Sequence, residues 1–81
     1  MRIDVHTYAA LREAVGVSSV VVDVSEDAVV SDVLDRLVEL HPQAAPYRTV
    51  MRAAISDRYV PSNTRVTESV EIHIITPVSG G

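Results

Sequence analysis

The residues of this chain that most plainly offer chemistry are the last two, Gly80 and Gly81, which follow Thr76-Pro77-Val78-Ser79. Glycine loses the most conformational freedom on ordering and packs no side chain, so Gly-Gly is a poor choice for a structural terminus. It suits a terminus that must enter another protein's active site, because a narrow channel can then contact both faces of the backbone. The reactive group there is the α-carboxylate of Gly81. With an ordinary pKa of about 3.3 to 3.7 it is ionised and a poor electrophile. Conversion to a mixed anhydride such as an acyl-adenylate makes it reactive, and a sulfur nucleophile then gives a terminal thiocarboxylate. Pro77 lacks an N–H and should end regular strand pairing. The residues after it are expected to project as a flexible arm of about 10 to 15 Å, at ~3.3 Å per extended residue.

Other chemistries find little support. The chain has no cysteine, which excludes disulfides, thiolate nucleophiles and Cys-based zinc sites. All seven basic residues are arginine, so no lysine ε-amine exists to act as nucleophile, Schiff-base former or isopeptide acceptor. His6, His41 and His73 show no i,i+4 pair, and no metal site is expected. A His-acid pair has no attached nucleophile or pocket, so no catalytic site of the chain's own is expected. The net charge is −4 with a pI of about 5.1, and no basic stripe suggests nucleic acid. No apolar run approaches the ~20 residues needed to span a membrane, and the start of the chain has no apolar signal core. A cytoplasmic location is the expectation.

These features need a scaffold, and the chain of 81 residues, 47% hydrophobic, has room for one domain. Arg2 to Tyr8 alternates, with Ile3, Val5 and Thr7 on one face and Arg2, Asp4 and His6 on the other, as a half-buried strand does. Ala9 to Val15 reads as a short helical turn stopped by Gly16. Ser19 to Val24 is a second strand with Val20, Val22 and Val24 on one face. Ser31 to His41 is the best helix: Val30, Val33, Leu34, Leu37 and His41 form one stripe opposite Asp32, Asp35, Arg36 and Glu39. Asp27 and Ser31 are both candidates for its N-terminal cap. Pro42 closes it, and Gln43 to Thr49 is expected to be a loop. Met51 to Ser56 is a third strand, Asp57 opens a turn, and Tyr59-Val60 is a short fourth strand ended by Pro61. Ser62 to Glu68 is polar and irregular. Val70 to Thr76 is the last strand, with Val70, Ile72 and Ile74 on one face and Glu71, His73 and Ile75 on the other.

The order ββαβββ with a single long amphipathic helix has one sensible packing. The helix lies across the apolar face of the sheet and gives two layers around one core. The first two strands form an antiparallel hairpin, and the helix is a crossover that lets a later strand run parallel to the first. That is an α+β, β-grasp (ubiquitin-like) architecture. A ferredoxin-like sandwich would want a second long helix, and none is evident between Gln43 and Gly81. The expected organisation is a folded domain over 1–76 and a tail over 77–81. Ile75, on the outer face just before the tail, and Val78 within it, are expected to contact a partner.

The ending Pro77-Val78-Ser79-Gly80-Gly81 resembles the PVSGG terminus of the small subunit of molybdopterin synthase, the MoaD type within the MoaD/ThiS sulfur-carrier family. Tyr8 to Gly16 resembles that family's F-A-x-L-R-E-x-x-G segment. Val29 to Leu37 resembles its T-V-x-D-L-L-x-x-L helix start, and Ala54-Ile55-Ser56 with Tyr59-Val60 resembles its A-V-N-x-x-Y-V hairpin. The resemblance implies a sulfur carrier without catalytic residues of its own. An E1-like enzyme of the MoeB type would use ATP to adenylate Gly81, and a sulfurtransferase or persulfide donor would convert it to the thiocarboxylate. Pro77, Val78, Ser79, Gly80 and Ile75 would meet a large catalytic subunit of the MoaE type, which uses the sulfur to build molybdopterin. The chain departs from the pattern at Tyr8 and Ser56. It departs again in the lead-in to the tail, where Glu71 and His73 enter the strand and one proline is missing. Sulfur carriage for thiamine or cysteine synthesis, and ubiquitin-like modification of proteins through Gly81, use the same tail chemistry. A plain interaction module with an idle tail is the third expectation.

Overall fold

The structure is a computed structural model, and it describes residues 1–77. Five strands make one mixed sheet: β1 (Arg2–Thr7), β2 (Ser19–Asp23), β3 (Arg52–Ile55), β4 (Arg58–Val60) and β5 (Glu71–Ile75), in the spatial order β2-β1-β5-β3-β4. β1 and β2 form the antiparallel hairpin, and β5 lies parallel to β1 in the centre of the sheet, with Val5 beside Ile72 and Thr7 beside Ile74. β3 runs antiparallel to β5 and to β4. The helix α2 (Val30–Leu40) makes the crossover between the hairpin and the remaining strands. This is the β-grasp expected from the sequence.

Period-two alternation decides which side of the sheet is dry. Ile3, Val5 and Thr7 of β1, Val22 of β2, Ala53 of β3 and Ile72 and Ile74 of β5 are all buried. Against them α2 places Val30, Val33, Leu34 and Leu37, its three- and four-residue stripe. Leu11 and Val15 of the short helix α1 (Ala9–Val15) close one end of the core. Gly16 ends α1 with φ at +91°, the left-handed conformation in which a Cβ is strained, and its N–H donates to the Arg12 carbonyl at 2.7 Å. The buried Thr7 hydroxyl donates to the Val17 carbonyl at 2.6 Å, so its burial leaves no unmet polar atom. His41, placed on the apolar stripe by its spacing, is only half-buried and sits at the C-terminal end of α2.

Three details differ from the sequence expectation. Neither Asp27 nor Ser31 caps α2. The preceding residue is Val29, which has no side-chain acceptor, and the first helical N–H groups find acceptors elsewhere. Val30 N–H donates to the Thr64 carbonyl and Ser31 N–H to the Ser62 carbonyl, both at 2.9 Å. The Asp32 carboxylate accepts from the Val29 N–H at 2.9 Å, which is the return half of a capping box. The segment expected to be a loop after Pro42 is instead a 3-10 helix, Pro42–Val50. Proline's fixed φ fits a helical start at Pro42 and is tolerated again at Pro46. Ala44 is buried under it, and Arg48 ties it to α2 through its Nε–H to Asp35 at 2.8 Å. Finally, the polar stretch 62–68 contains a core residue, Val66, which is buried and whose N–H donates to the Ala28 carbonyl.

The β3–β4 hairpin closes through Ser56 and Asp57, both with positive φ (52° and 65°) between the paired residues Ile55 and Arg58. Two left-handed residues in a two-residue loop are the mark of a type I′ turn, whose twist matches that of its strands.

Candidate functional site

Two features meet at one end of the sheet, the root of the tail and an outer face that α2 leaves uncovered. The root is firmly held. β5 pairs on both sides, and its last residue, Ile75, stands beside Arg52 of β3. Thr76 is buried and Pro77 is exposed. Thr49, Val50, Met51 and Arg52 line a concavity of about 350 Å³ with Pro77. Val78, Ser79, Gly80 and Gly81 lie outside the described residues, so the expected arm and its carboxylate are not part of this geometry.

On the outer face the alternation that buries Ile72 and Ile74 turns Glu71, His73 and Ile75 outward. Parallel pairing with β1 sets His73 beside His6. Their imidazoles stack, with ring centres 4.6 Å apart and 14° between planes. The His6 Nε2–H donates to Glu71 Oε1 at 2.8 Å, because a carboxylate can only accept. At the other end of the stack, His73 Nδ1 shares a hydrogen bond of 2.6 Å with the Tyr8 hydroxyl, whose ring lies 5.9 Å from the imidazole. Glu71, His6, His73 and Tyr8 therefore form one polar ladder across β1 and β5. It leads to the tail root, since Tyr8 leaves β1 at the same end where Ile75 leaves β5.

The ladder borders an apolar hollow of about 260 Å³ lined by Tyr8, Ala54, Asp57, His73 and Ile75. Half-buried Ile75 forms one wall, where the sequence placed a partner contact. Tyr59, 62% exposed, extends the same face beyond Ala54, its partner across β3 and β4. A concave apolar floor with polar groups at one side can seat a partner's side chain and fix its orientation. Sequence reasoning placed His6 and His73 on the outer face but did not bring them together. The expected crossover set a later strand parallel to the first, but neither that strand's identity nor its register was legible, and the pairing of His6 with His73 comes from the register.

Among the described residues, no group of three or more His, Cys, Asp or Glu side chains is placed to hold a metal ion. No helix among them is long and apolar enough to cross a membrane. The Asp27 carboxyl is held below 3.8 first by the Ser25 hydroxyl, which donates to its Oδ1 at 2.7 Å. Its own backbone N–H acts in the same direction, desolvation opposes both, and the Arg65 guanidinium adds a lesser lowering. Asp27 lies in the β2–α2 connection, away from the tail.

Comparison with known proteins agrees with this geometry. SAMP1 (small archaeal modifier protein 1) from Haloferax volcanii superposes with a TM-score of 0.86 at 27% identity, over 100% of both chains. A putative molybdopterin converting factor subunit 1 from Pyrococcus furiosus gives 0.84 at 20% identity, over 96% of this chain and 99% of its own. A chain of the complex of subunits 1 and 2 of the molybdopterin-converting factor from Helicobacter pylori gives 0.69 at 18% identity over 100% of both chains. At those identities the last two show a shared fold. The model of the ThiS family matches residues 5–81, nearly the whole sequence and including its Gly-Gly end. With a β-grasp sheet whose central strand runs out into that end, the chain belongs to the ThiS family of ubiquitin-like sulfur carriers.

Proposed function

We propose that this chain carries sulfur as a thiocarboxylate on Gly81 and donates it as the small subunit of a molybdopterin synthase. An E1-like enzyme of the MoeB type adenylates the Gly81 carboxylate with ATP. The outer sulfur of a sulfurtransferase or persulfide donor then bonds to the Gly81 carbonyl carbon with release of AMP, and a thiol cleaves the resulting acyl disulfide, leaving the thiocarboxylate and a new disulfide. The tail, Pro77 to Gly81, enters a large subunit of the MoaE type, while Ile75 and the hollow beside it seat on that partner's surface. ATP belongs to the activating enzyme, and the carrier contributes only its carbonyl carbon. The observation that carries this reading is the direct run of the central strand β5 through buried Thr76 into Pro77-Val78-Ser79-Gly80-Gly81. A tail rooted in the middle of the sheet is presented by a rigid platform, which lowers the ordering cost a partner must meet.

A second reading is favoured by the 27% identity with SAMP1 over the full length. In it the activated Gly81 is joined to amines of other proteins. One reconstitution separates the two. With an E1-like enzyme, ATP and a sulfur donor, the carrier reading expects a mass gain of ~16 Da at Gly81, as sulfur replaces oxygen in a covalent acyl transfer. Deletion of Gly81 should abolish the gain and leave the fold intact. Gel-shifted conjugates that require Gly81, without a thiocarboxylate intermediate, would favour the modifier. An unchanged mass with a competent enzyme contradicts the carrier reading, and the lack of any Gly81-dependent conjugate once target proteins are added contradicts the modifier.

A further inference from the structure

We propose that β2 is a self-pairing edge: two copies of this chain join by antiparallel β2–β2 contact about a two-fold axis at Val21, making one continuous sheet. β2 stands at one end of the strand order, and only β1 pairs with it. The ends of the hairpin decide which of its backbone groups stay open. Thr7 N–H donates to the Ser18 carbonyl and Val24 N–H to the Met1 carbonyl, both at 2.9 Å. Residue pairs along an antiparallel ladder alternate between bonded and non-bonded. Ser18, Val20, Val22 and Val24 therefore turn their N–H and C=O groups toward β1. Ser19, Val21 and Asp23 turn theirs to the open edge, with side chains on the outer face beside His6, Asp4 and Arg2.

Native sheets blunt their open edges with short strands, proline or charged side chains. The opposite edge of this sheet follows that rule. β4 has three residues, begins at Arg58 and is followed by Pro61. β2 has five residues, and no proline, lysine or arginine occurs from Val17 to Val24. Its centre is the β-branched run Val20-Val21-Val22, which suits a pleated surface, and Val21 is 45% exposed there.

The occupant is a second copy because β2 complements itself. With Val21 opposite Val21 on the axis, Ser19 falls opposite Asp23 and Asp23 opposite Ser19. The outward backbone groups then all meet partners, with two hydrogen bonds at the Val21 pair and two at each Ser19–Asp23 pair. The Val21 side chains cover one another, and each Ser19 hydroxyl is placed to donate to the Asp23 carboxylate of the second copy. The two Asp23 carboxylates stand four residues apart, about 13 Å at ~3.3 Å per residue, beyond the screening length of ~8 Å in physiological salt. An isologous contact of this kind closes at two copies. Its axis is normal to the sheet, so both outer faces look the same way and the two β5 strands run in opposite directions. The hollow beside Ile75 lies on the far side of β1 from the axis and stays open. One strand per copy buries less than the ~1,200 Å² of stable complexes, and each copy carries a charge of −4. The dimer is therefore weak, with a Kd on the order of 0.1–1 mM.

The test follows the full chain by sedimentation equilibrium and amide NMR from about 20 µM to about 2 mM, a range that brackets that Kd. The average mass should rise toward that of a dimer and no higher. Hydrogen exchange at the N–H groups of Ser19, Val21 and Asp23 should slow as concentration rises, while Val20 and Val22, already bonded to β1, change little. That alternation reads strand pairing, and a contact made by side chains alone does not produce it. Val21→Lys sets two ammonium groups face to face on the axis and should weaken the dimer at least about tenfold without lowering Tm. Ser19→Lys sets an ammonium opposite Asp23 and should tighten it about two- to fivefold. A chain that stays monomeric at about 2 mM would overturn the proposal. So would association without the alternating protection, an edge protected only when a different protein is added, or equal weakening by the two lysines.

Discussion

Adjacent residues at the end of β5 should behave as opposites. Ile74 is fully buried, between Thr7 of β1 and Ala53 of β3, whereas half-buried Ile75 faces the outer hollow. Replacing Ile74 by Ala removes three buried carbons, worth about 0.8 kcal/mol each in transfer free energy, or roughly 2.5 kcal/mol. The cavity left in a sheet pinned on both sides raises the cost to ~3–4 kcal/mol. Total stability for a domain of this size is of order 4–12 kcal/mol, so the variant forfeits a large share of it. At ~4–8 °C per kcal/mol, Tm should fall by roughly 15–25 °C. Ile75→Ala should cost under about 1 kcal/mol in stability, because its side chain was never fully dried. It should instead weaken binding to the proposed large subunit about tenfold or more, as loss of an apolar anchor does. Urea unfolding with an unchanged m-value reads the first quantity, and calorimetric titration with the partner reads the second. Equal destabilisation by both variants would refute the facing assigned to β5. Undiminished partner affinity of Ile75→Ala would refute the role assigned to the hollow.

Three further expectations concern parts of the structure outside the core. Asp57 holds φ at 65° in the β3–β4 turn, and Asp57→Gly should stabilise by ~0.5 kcal/mol, read as a rise of a few degrees in Tm. Tyr8→Phe removes the hydroxyl from His73 Nδ1 and should change the nitrogen chemical shifts of that imidazole, while costing no more than about 1 kcal/mol at an exposed site. Asp27 is depressed in the folded state, so its contribution to stability is complete above the unfolded carboxylate value and is lost as pH falls through the lower folded one; Ser25→Ala should move its NMR titration midpoint upward toward 3.8.

The elements that were legible in the sequence are those governed by local periodicity. The alternation of Ile3, Val5 and Thr7, and of Ile72 and Ile74, assigned both central strands and their dry faces. The Val30-Val33-Leu34-Leu37 stripe assigned the helix that covers them. What was not legible depends on contacts distant in sequence. The N–H groups of Val30 and Ser31 at the N-terminus of α2 are satisfied by carbonyls of Thr64 and Ser62, some thirty residues later, so the N-cap position can be Val29, which has no side-chain acceptor. Val66 is a lone apolar residue in a polar stretch, and only the bridge between Val29 and Arg65 beside it reveals why it is buried. The 3-10 helix over Pro42–Val50 resembles a loop because its two prolines and small residues give no helical stripe. The His6–His73 stack needs the register of β1 against β5, which periodicity within either strand does not supply. The tail chemistry came from residue types alone, and 78–81 lie outside the described residues.

The central claim is that the last carbonyl carbon of this chain is worked on by other proteins, and the state of that carbon in living cells tests it most directly. The protein should be isolated from its own host under conditions that preserve thioacids, treated with a sulfur-alkylating reagent, and fragmented intact in a mass spectrometer. The account predicts a population in which the alkyl group is confined to Gly81, and its absence from a strain lacking the adenylating enzyme. A terminus that is always the unmodified carboxylate, never sulfurated and never joined to another molecule, would contradict it.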